Sequence, residues 1–201
     1  TSTSTSDSIT TTGTIPINTW THIAVVINAT GSAGAHTVDV YINGTKESFT
    51  ARDFSSQTTT YDRLCVGGYT SGYFDGYISN FRVVRAPTNV VGYSGSTISV
   101  PTAPLTTVSG TRMLLNSNKL ADTSPFNHSL TVNGTTPTVQ KLSPFGSITT
   151  TKYYSSYCSN TSNYWSVTPV ANAFPNTSTS WTVEGWFNFT SFSAQVGLAT
   201  I

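Results

Sequence analysis

Charged residues are scarce in this sequence of 201 residues. Asp, Glu, Lys and Arg together make up 8% of it, whereas an average soluble domain has roughly 25%. The nine basic and eight acidic residues nearly cancel, and no basic run is present. The chain therefore lacks the electrostatic footprint that binding to a phosphate backbone requires, and we expect no nucleic-acid partner.

Long apolar runs are also missing. No stretch approaches the roughly 20 consecutive apolar residues of a membrane-spanning helix. Residues 1–8 (TSTSTSDS) have neither the basic nor the apolar region of a signal peptide. We expect a soluble chain that does not insert into a membrane, with any export signal lying elsewhere or absent.

Residues that favour surface helices are few, while Ser and Thr make up roughly a third of the chain, and 12% of the residues are aromatic. Thr, Val, Ile and aromatic side chains suit a pleated, half-buried surface, so the composition predicts an all-β fold. The two cysteines, Cys65 and Cys158, permit one disulfide but do not require it, because a domain of this size can maintain a core without disulfide bonds. We interpret them as two small buried hydrophobic residues.

Strand patterns follow one another along the first part of the chain. The uninterrupted apolar stretch Ile23–Ile27 predicts a core strand that is buried on both faces. The alternating segment Val38–Ile42 precedes Asn43-Gly44, which is the two-residue hairpin signal. A short strand through Leu64 and Val66 and a longer one over Tyr77–Val84 come next.

Prolines and glycines interrupt the sequence between residues 86 and 110, which predicts an extended connection over the surface. Two short strand candidates follow at Met113–Asn116 and Ser129–Gly134, the second of which ends in another Asn-Gly turn. A last strand is predicted over residues 181–188, where one set of positions alternates with another. The first set is Trp181, Val183, Gly185 and Phe187, and the second is Thr182, Glu184, Trp186 and Asn188.

Four segments on these predicted strands share a pattern of aromatic, asparagine and glycine positions. Together they resemble, in order and spacing, the second half of a laminin-G-like jelly-roll domain of the concanavalin A-like type. The resemblance implies an antiparallel jelly-roll β-sandwich. The segments are Trp20–Val26 (WTHIAVV), Val40–Gly44 (VYING), Val66–Tyr69 (VGGY) and Phe74–Val83 (FDGYISNFRV).

The resemblance continues in permuted order. Residues 100–134, followed by LSPFG, are similar to the spacer after such a domain in structural proteins of bacterial viruses, notably those that infect marine cyanobacteria. It implies later strands of a jelly roll in residues 1–86, a spacer rich in Pro, Gly, Ser and Thr with short strands in 87–152, and opening strands of a following or completing jelly roll in 153–201.

Three explanations fit this permuted order. The chain is a slice of a tandem array, a domain closed by its own C-terminal strands, or a subunit whose C-terminal strands complete a neighbour. We favour the slice, because exposed jelly-roll edges would otherwise invite aggregation.

Relatives in this group include glucanases, which need two carboxylates on either side of the scissile bond. The two glutamates here, Glu47 and Glu184, each lack a second carboxylate within four residues. We therefore expect no enzymatic activity. Arg82 and Arg85 are interpreted as solvated or paired across strands.

The histidines do not indicate catalysis either. We interpret His22 as a core histidine with a hydrogen-bonded ring nitrogen. His36 and His128 have no serine elbow, cysteine partner or carboxylate at an informative spacing. Three scattered histidines and two distant cysteines also make no zinc site.

The resemblance points to one cofactor, calcium, because relatives often bind it at the rim of the sandwich. Asp62 and Asp75 are the candidate ligands, with Asp53 as a third. The alternative for Asp75 is a turn that its side chain caps.

Sugar binding needs an exposed aromatic face and polar groups that bind hydroxyls. The loop from Tyr69 to Tyr73, with Asp62 and Arg63 nearby, offers such groups. A second cluster, which includes Tyr157, Tyr164 and Trp165, offers others. These aromatic residues could equally pack on the sheets.

The sequence thus favours a non-catalytic structural or adhesive module of a repetitive virion or cell-surface protein, such as a tail fibre. Its expected partners are cell-surface or polymeric glycans and neighbouring copies of the same protein, and its expected location is the virion surface or the extracellular side of a cell. The alternative is the non-catalytic half of a glucanase-like, carbohydrate-active enzyme.

Overall fold

The computed structural model describes most of the chain, namely residues 11–29, 36–49, 64–69, 72–86, 88–116, 120–134, 138–146, 154–159, 163–168, 179–192 and 199–200.

These residues form β-strands and no helix, which confirms the all-β prediction. Within the same ranges, no helix is long and apolar enough to cross a membrane. The strands are β1 (Trp20–Ala29), β2 (His36–Ile42), β3 (Thr45–Lys46), β4 (Leu64–Val66), β5 (Gly68–Tyr69), β6 (Gly72–Tyr73), β7 (Gly76–Ala86), β8 (Thr111–Leu115), β9 (Thr131–Asn133), β10 (Thr138–Gln140), β11 (Ser155–Cys158), β12 (Tyr164–Val167), β13 (Ser180–Phe189) and β14 (Ala199–Thr200).

The strands pair antiparallel in two main sheets and a small hairpin. Sheet A has eight strands in the order β10-β11-β7-β13-β1-β2-β3, with β8 also pairing with β7. Sheet B has the order β14-β4-β12-β9, and β5 pairs with β6. This arrangement is an antiparallel jelly-roll β-sandwich, which is the fold that the resemblance implies.

The main core lies between the two sheets. Sheet B contributes Leu64, Trp165 and Val167, and sheet A contributes Phe81 and Phe187 among other apolar side chains. Each large side chain of this kind that is fully buried stabilises the fold by about 1.5–3 kcal/mol. The sandwich is therefore held mainly by the apolar faces that the two sheets present to each other.

Strand β1 lies inside sheet A, between β13 and β2, in agreement with the core strand that the apolar run predicts. Ile23 joins the core between the sheets, whereas Ala24 and Val26 are fully buried on the opposite face. The next hairpin is confirmed as well: Asn43 and Gly44 both have positive φ, 47° and 82°, as a two-residue turn between β2 and β3 requires.

Strand β13 lies between β1 and β7. It pairs with β1 from Trp20–Asn188 to Ile27–Trp181, and with β7 along its whole length. The central strand of sheet A thus comes from the C-terminal part of the chain, about 90 residues after β7 ends.

Strands from all three parts of the division inferred from the sequence share sheet A. β8, which lies in the part inferred to be a spacer, pairs with β7, and β11 pairs with the beginning of β7. The three-part division and the choice among its explanations stay predictions.

The connection after β7 runs over the outer face of sheet A, as expected. We call residues 88–106 the strap. Tyr93 and Ile98 of the strap pack on Tyr41, whose hydroxyl donates a hydrogen bond to the Gly95 carbonyl oxygen at 3.1 Å. The amide of Ile98 donates to Gly44 O at 2.8 Å. The strap therefore covers a face that would otherwise be open.

The two cysteines are buried. Cys65 and Cys158 both lie in the interior, as the interpretation of small hydrophobic residues requires.

The second Asn-Gly turn, after Asn133, does not join two strands of a hairpin. β9 before it pairs with β12 in sheet B, whereas β10 after it pairs with β11 in sheet A.

Candidate functional site

A cluster of polar and aromatic side chains surrounds Asp75, at the end of the sandwich where β7 begins. The Asp75 carboxylate accepts a hydrogen bond from the Tyr157 hydroxyl at 3.3 Å and another from the Ser191 hydroxyl at 2.6 Å. Its carbonyl oxygen accepts one from the Thr190 amide at 3.0 Å. Asp75 thus ties β11 and the residues after β13 to the beginning of β7.

The same end exposes apolar surface. Phe192 is 52% exposed, and its ring stacks on the buried ring of Phe189 at 4.9 Å and 30°. Ile17, which is also half-exposed, forms a β-bridge with Phe189. Phe192 is therefore an exposed aromatic residue whose ring is held in place by the buried ring of Phe189.

Two tyrosines complete this end. The rings of Tyr77 and Tyr157 lie 5.0 Å apart with a tilt of 45°. Burial, followed by the negative charge of Asp75 and its hydrogen bond, raises the pKa of Tyr157 above the ordinary value of 10.0. The Tyr157 hydroxyl therefore keeps its proton at neutral pH. We call Asp75, Tyr77, Tyr157, Ser191 and Phe192 the Asp75 rim.

The local sequence explains why these groups meet. Gly76 has φ of 149°, and a side chain there would strike the carbonyl oxygen of Asn188. Only glycine allows β7 to begin this close to β13. Asp75 is therefore placed directly beside the residues that follow β13.

The Asp75 rim has the groups that a neutral sugar needs. A carboxylate and hydroxyls can exchange hydrogen bonds with sugar hydroxyls, and an exposed aromatic ring can pack on the apolar C–H face of a pyranose. This combination suits binding without chemistry.

The structure describes the three residues predicted to bind sugar to different extents. Tyr73 is half-buried, and its ring lies 6.4 Å from that of Tyr164. Tyr69 belongs to β5, but its side chain lies outside the described residues, as does Asp62 altogether. The structure thus describes Tyr73 near the beginning of the same loop as Asp75, and the three-residue sugar site stays a prediction.

The structure describes one of the three calcium candidates. Each Asp75 carboxylate oxygen already accepts a hydroxyl hydrogen bond, in agreement with a residue that organises a turn. Asp53 and Asp62 lie outside the described residues. Among those residues that are described, no group of three His, Cys, Asp or Glu side chains could hold a metal ion. Calcium binding stays a prediction.

A second polar cluster is buried under the strap, on the outer face of sheet A. Arg82 Nε and Nη2 donate to Glu184 Oε1 at 2.9 Å and 2.5 Å. Tyr93 donates its hydroxyl hydrogen to Glu184 Oε2 at 2.9 Å, and His22 Nε2 lies 3.3 Å from the same oxygen. The prediction that His22 is a core histidine with a hydrogen-bonded ring nitrogen is confirmed, as is the cross-strand pairing of Arg82.

The Glu184 side chain is completely buried and ionised. Burial alone would raise its pKa, but the hydrogen bond from His22 and the positive charge of Arg82 outweigh that effect and hold the pKa below 4.5. Burial and the charge of Glu184 also raise the pKa of Tyr93 far above its usual range. Sequence analysis missed this cluster, because Glu184 and Arg82 are 102 residues apart.

A third cluster corrects the interpretation of His128. Its Nδ1 lies 2.7 Å from Asp122 Oδ2, so a carboxylate partner stands six residues away. Asp122 also accepts hydrogen bonds from the amides of Leu114, Ser124 and His128. Burial opposes ionisation of Asp122, but these hydrogen bonds prevail and lower its pKa. The aspartate therefore organises the loop between β8 and β9.

The comparisons with known proteins agree with the fold. Residues 1–90 match a laminin-G-type model of the concanavalin A-like lectin/glucanases superfamily. This match supports a lectin-like jelly-roll domain in a little under half of the chain. Neither a curated protein nor a solved structure matches the sequence. The resemblance to tandem domains of bacterial viruses stays a prediction.

Proposed function

We propose that this chain is a non-catalytic, glycan-binding module of a repetitive virion or cell-surface protein. The observation that carries the proposal is the Asp75 rim, where the exposed residue Phe192 directly follows Ser191, whose hydroxyl donates to the Asp75 carboxylate. The superfamily that matches residues 1–90 includes lectins, which is in keeping with this use of the fold.

The arrangement of Glu184 supports a role without chemistry. A glycosidase needs a carboxylate that can reach the glycosidic oxygen or the anomeric carbon. Both oxygens of Glu184 are occupied, by Arg82 on one side and by Tyr93 and His22 on the other, beneath the strap. The buried Glu184 carboxylate therefore stabilises sheet A.

An adhesive role would use many copies. A single rim with one exposed aromatic residue offers a small contact, and such a site binds weakly by itself. Several copies in one fibre or on one surface would raise the overall affinity through multivalency. Neighbouring copies of the protein are therefore proposed partners together with glycans, at the virion surface or outside a cell.

The test is a binding measurement with immobilised neutral polysaccharides, namely a β-glucan, a mannan and a galactan. We expect weak binding to at least one of them, reduced about tenfold by Phe192→Ala, which corresponds to about 1.4 kcal/mol. Asp75→Asn should also weaken it. Leu142→Ala is the matched control, because Leu142 is an exposed apolar residue outside the rim. Retention of full binding by the Phe192 variant would refute the site.

A further inference from the structure

A cationic and aromatic surface lies at the other end of β7. The guanidinium carbon of Arg112, in β8, lies 4.6 Å from the ring centroid of Phe126. Phe126 is 44% exposed, and its ring also stacks on the His128 imidazole at 5.7 Å and 16°. We call Arg112 and Phe126 the Arg112 platform.

The platform stands on an organised turn. The amide of Asn127 donates to the Ser124 carbonyl oxygen at 3.1 Å, and the amide of Phe126 lies 3.3 Å from the Ser124 hydroxyl. The carboxylate of Asp122 fastens the same turn to β8. An exposed aromatic ring held in this way is pre-organised for contact, so binding costs little ordering of the loop.

The positive charge of Arg112 is not balanced within the described part of the chain. There, no carboxylate pairs with its guanidinium, and its buried Nε has no hydrogen-bond acceptor. Nearby Asp122 is saturated by donors from its own loop. Arg112 as a whole is half-buried, and its two terminal guanidinium nitrogens are not among the buried atoms without a partner. An anion from solvent can therefore pair with these terminal nitrogens, while Nε stays buried.

A second cation lies close to the first. Arg85 is half-buried, and its Nε donates to Thr179 Oγ1 at 3.0 Å. Burial, and after it the like charge of Arg112, lower the pKa of Arg85. The charges of Arg85 and Arg112 are therefore close enough to interact.

We propose that the Arg112 platform binds an acidic sugar residue of a polysaccharide. The guanidinium of Arg112 pairs with the anionic group on the pyranose, and the exposed part of the Phe126 ring packs on the sugar's C–H face. A uronate carboxylate and a sulfate ester share this chemistry, and the planar fork of arginine matches a carboxylate best.

This site is separate from the Asp75 rim. The rim adjoins Gly76 at the beginning of β7, whereas Arg112 of β8 lies beside Val83 and Val84. These positions are about seven residues apart along β7, so at about 3.4 Å per residue they are separated by roughly 24 Å. The two sites are therefore independent, and each takes its own ligand. Loss of binding at one site does not imply loss of binding at the other.

The experiment measures binding of the full chain at low salt to three immobilised polymers: polygalacturonate, dextran sulfate and neutral dextran. We expect binding to an acidic polymer that weakens as salt rises, and no binding to dextran. Binding to polygalacturonate assigns the carboxylate as the anionic group, and binding to dextran sulfate alone assigns the sulfate.

Variants test whether the Arg112 platform is responsible for binding to the acidic polymer. Arg112→Gln and Phe126→Ala should each reduce binding to the acidic polymer at least tenfold. Arg112→Lys keeps the charge without the planar fork and should lose less than Arg112→Gln. Lys141→Gln is the matched control, because Lys141 is an exposed cation in another loop, and its binding should stay within about twofold of the wild type.

Three results would overturn the proposal. One is the absence of binding to either acidic polymer at low salt. Another is an equal loss in the Lys141 and Arg112 variants, which would mean that net charge alone attracts the polymer. The third is equally tight, Arg112-dependent binding to duplex DNA, which would mean that the sugar ring makes no contribution. Thermal unfolding of each variant separates loss of the site from loss of the fold.

Discussion

Arg82 and Glu184 lie directly opposite each other on β7 and β13, and two guanidinium nitrogens of Arg82 donate to the same carboxylate oxygen. The pair is buried on the outer face of sheet A, and the strap closes over it through Tyr93. Because the carboxylate also adjoins His22 of β1, one side chain connects three adjacent strands and the strap.

Replacement of Glu184 should therefore destabilise the whole sheet. Glu184→Gln leaves the buried charge of Arg82 without its counterion, and we expect the free energy of unfolding to fall by about 3–5 kcal/mol. Urea unfolding followed by tryptophan fluorescence measures it. The matched control is Glu47→Gln, since Glu47 lies outside the buried cluster and makes an exposed hydrogen bond to the Gly13 amide; its effect should stay near 0.5 kcal/mol. Similar losses in the two variants would contradict the assignment.

The effect of Glu184 should depend on pH. Its pKa in the folded protein is lower than the ordinary 4.5, so its stabilising contribution is complete above about pH 4.5 and is lost as the pH falls through the folded value. Protonated glutamate resembles glutamine. The difference in free energy of unfolding between wild type and Glu184→Gln should therefore be largest near pH 7 and shrink below about pH 4.5. A difference that stays constant over this range would count against an ionised Glu184.

The thiol of Cys158 should be inert in the folded protein. Burial raises its pKa to about 12, so at about pH 8 the thiolate fraction is on the order of one in ten thousand. We expect no alkylation of Cys158 by iodoacetamide in the native state and rapid alkylation in concentrated urea. Peptide mass spectrometry locates the label. Rapid native labelling would place the thiol at the surface.

Two glycines with nearly equal backbone angles allow a matched test of close packing. Gly110 has φ of 80° and Gly92 has φ of 76°, but a side chain at Gly110 would strike the Arg85 carbonyl oxygen, whereas Gly92 faces open space. Gly92→Ala should cost about 1 kcal/mol for the left-handed backbone alone. Gly110→Ala should cost about 1–3 kcal/mol more. Equal losses in thermal unfolding would show that the contact with Arg85 contributes nothing.

The central position of β13 can be tested by removing it. A chain that ends at residue 168 lacks the strand that joins β1 to β7, so we expect it not to fold cooperatively. Addition of a synthetic peptide of residues 179–192 should restore the native circular dichroism spectrum, because its backbone can pair with both strands. A cooperatively folded truncated chain would show that β1 and β7 close the sheet by another route.

Local signals were readable from the sequence. Asn43-Gly44 specifies its hairpin, because both positions need positive φ and these residues tolerate it. The apolar run Ile23–Ile27 specifies a core strand, because only burial on both faces accommodates it. Segments of this kind determine their own structure, so the fold class followed from the sequence.

Side-chain contacts between residues that are far apart in the sequence could not be predicted from it. Nothing near Asp75 in the sequence indicates that Tyr157 and Ser191 will donate to it, because Tyr157 belongs to β11 and Ser191 follows β13, both much later in the chain. The same holds for Glu184 with Arg82, and for Arg112 with Phe126, where the shape of a loop decides the contact. The candidate sites therefore depend on strand order, which composition and periodicity do not encode.

Strand β13 also has a consequence for the growing polypeptide on the ribosome. The chain emerges from its N-terminal end, so β1 and β7 are complete long before the strand that belongs between them has been translated. During that interval both strands expose unsatisfied backbone edges, which invite mispairing with other nascent chains. The sparse charge of the sequence gives little repulsion against such encounters. Expression yield should therefore depend on how quickly translation reaches residue 189, and on chaperones that shield the open sheet until it does.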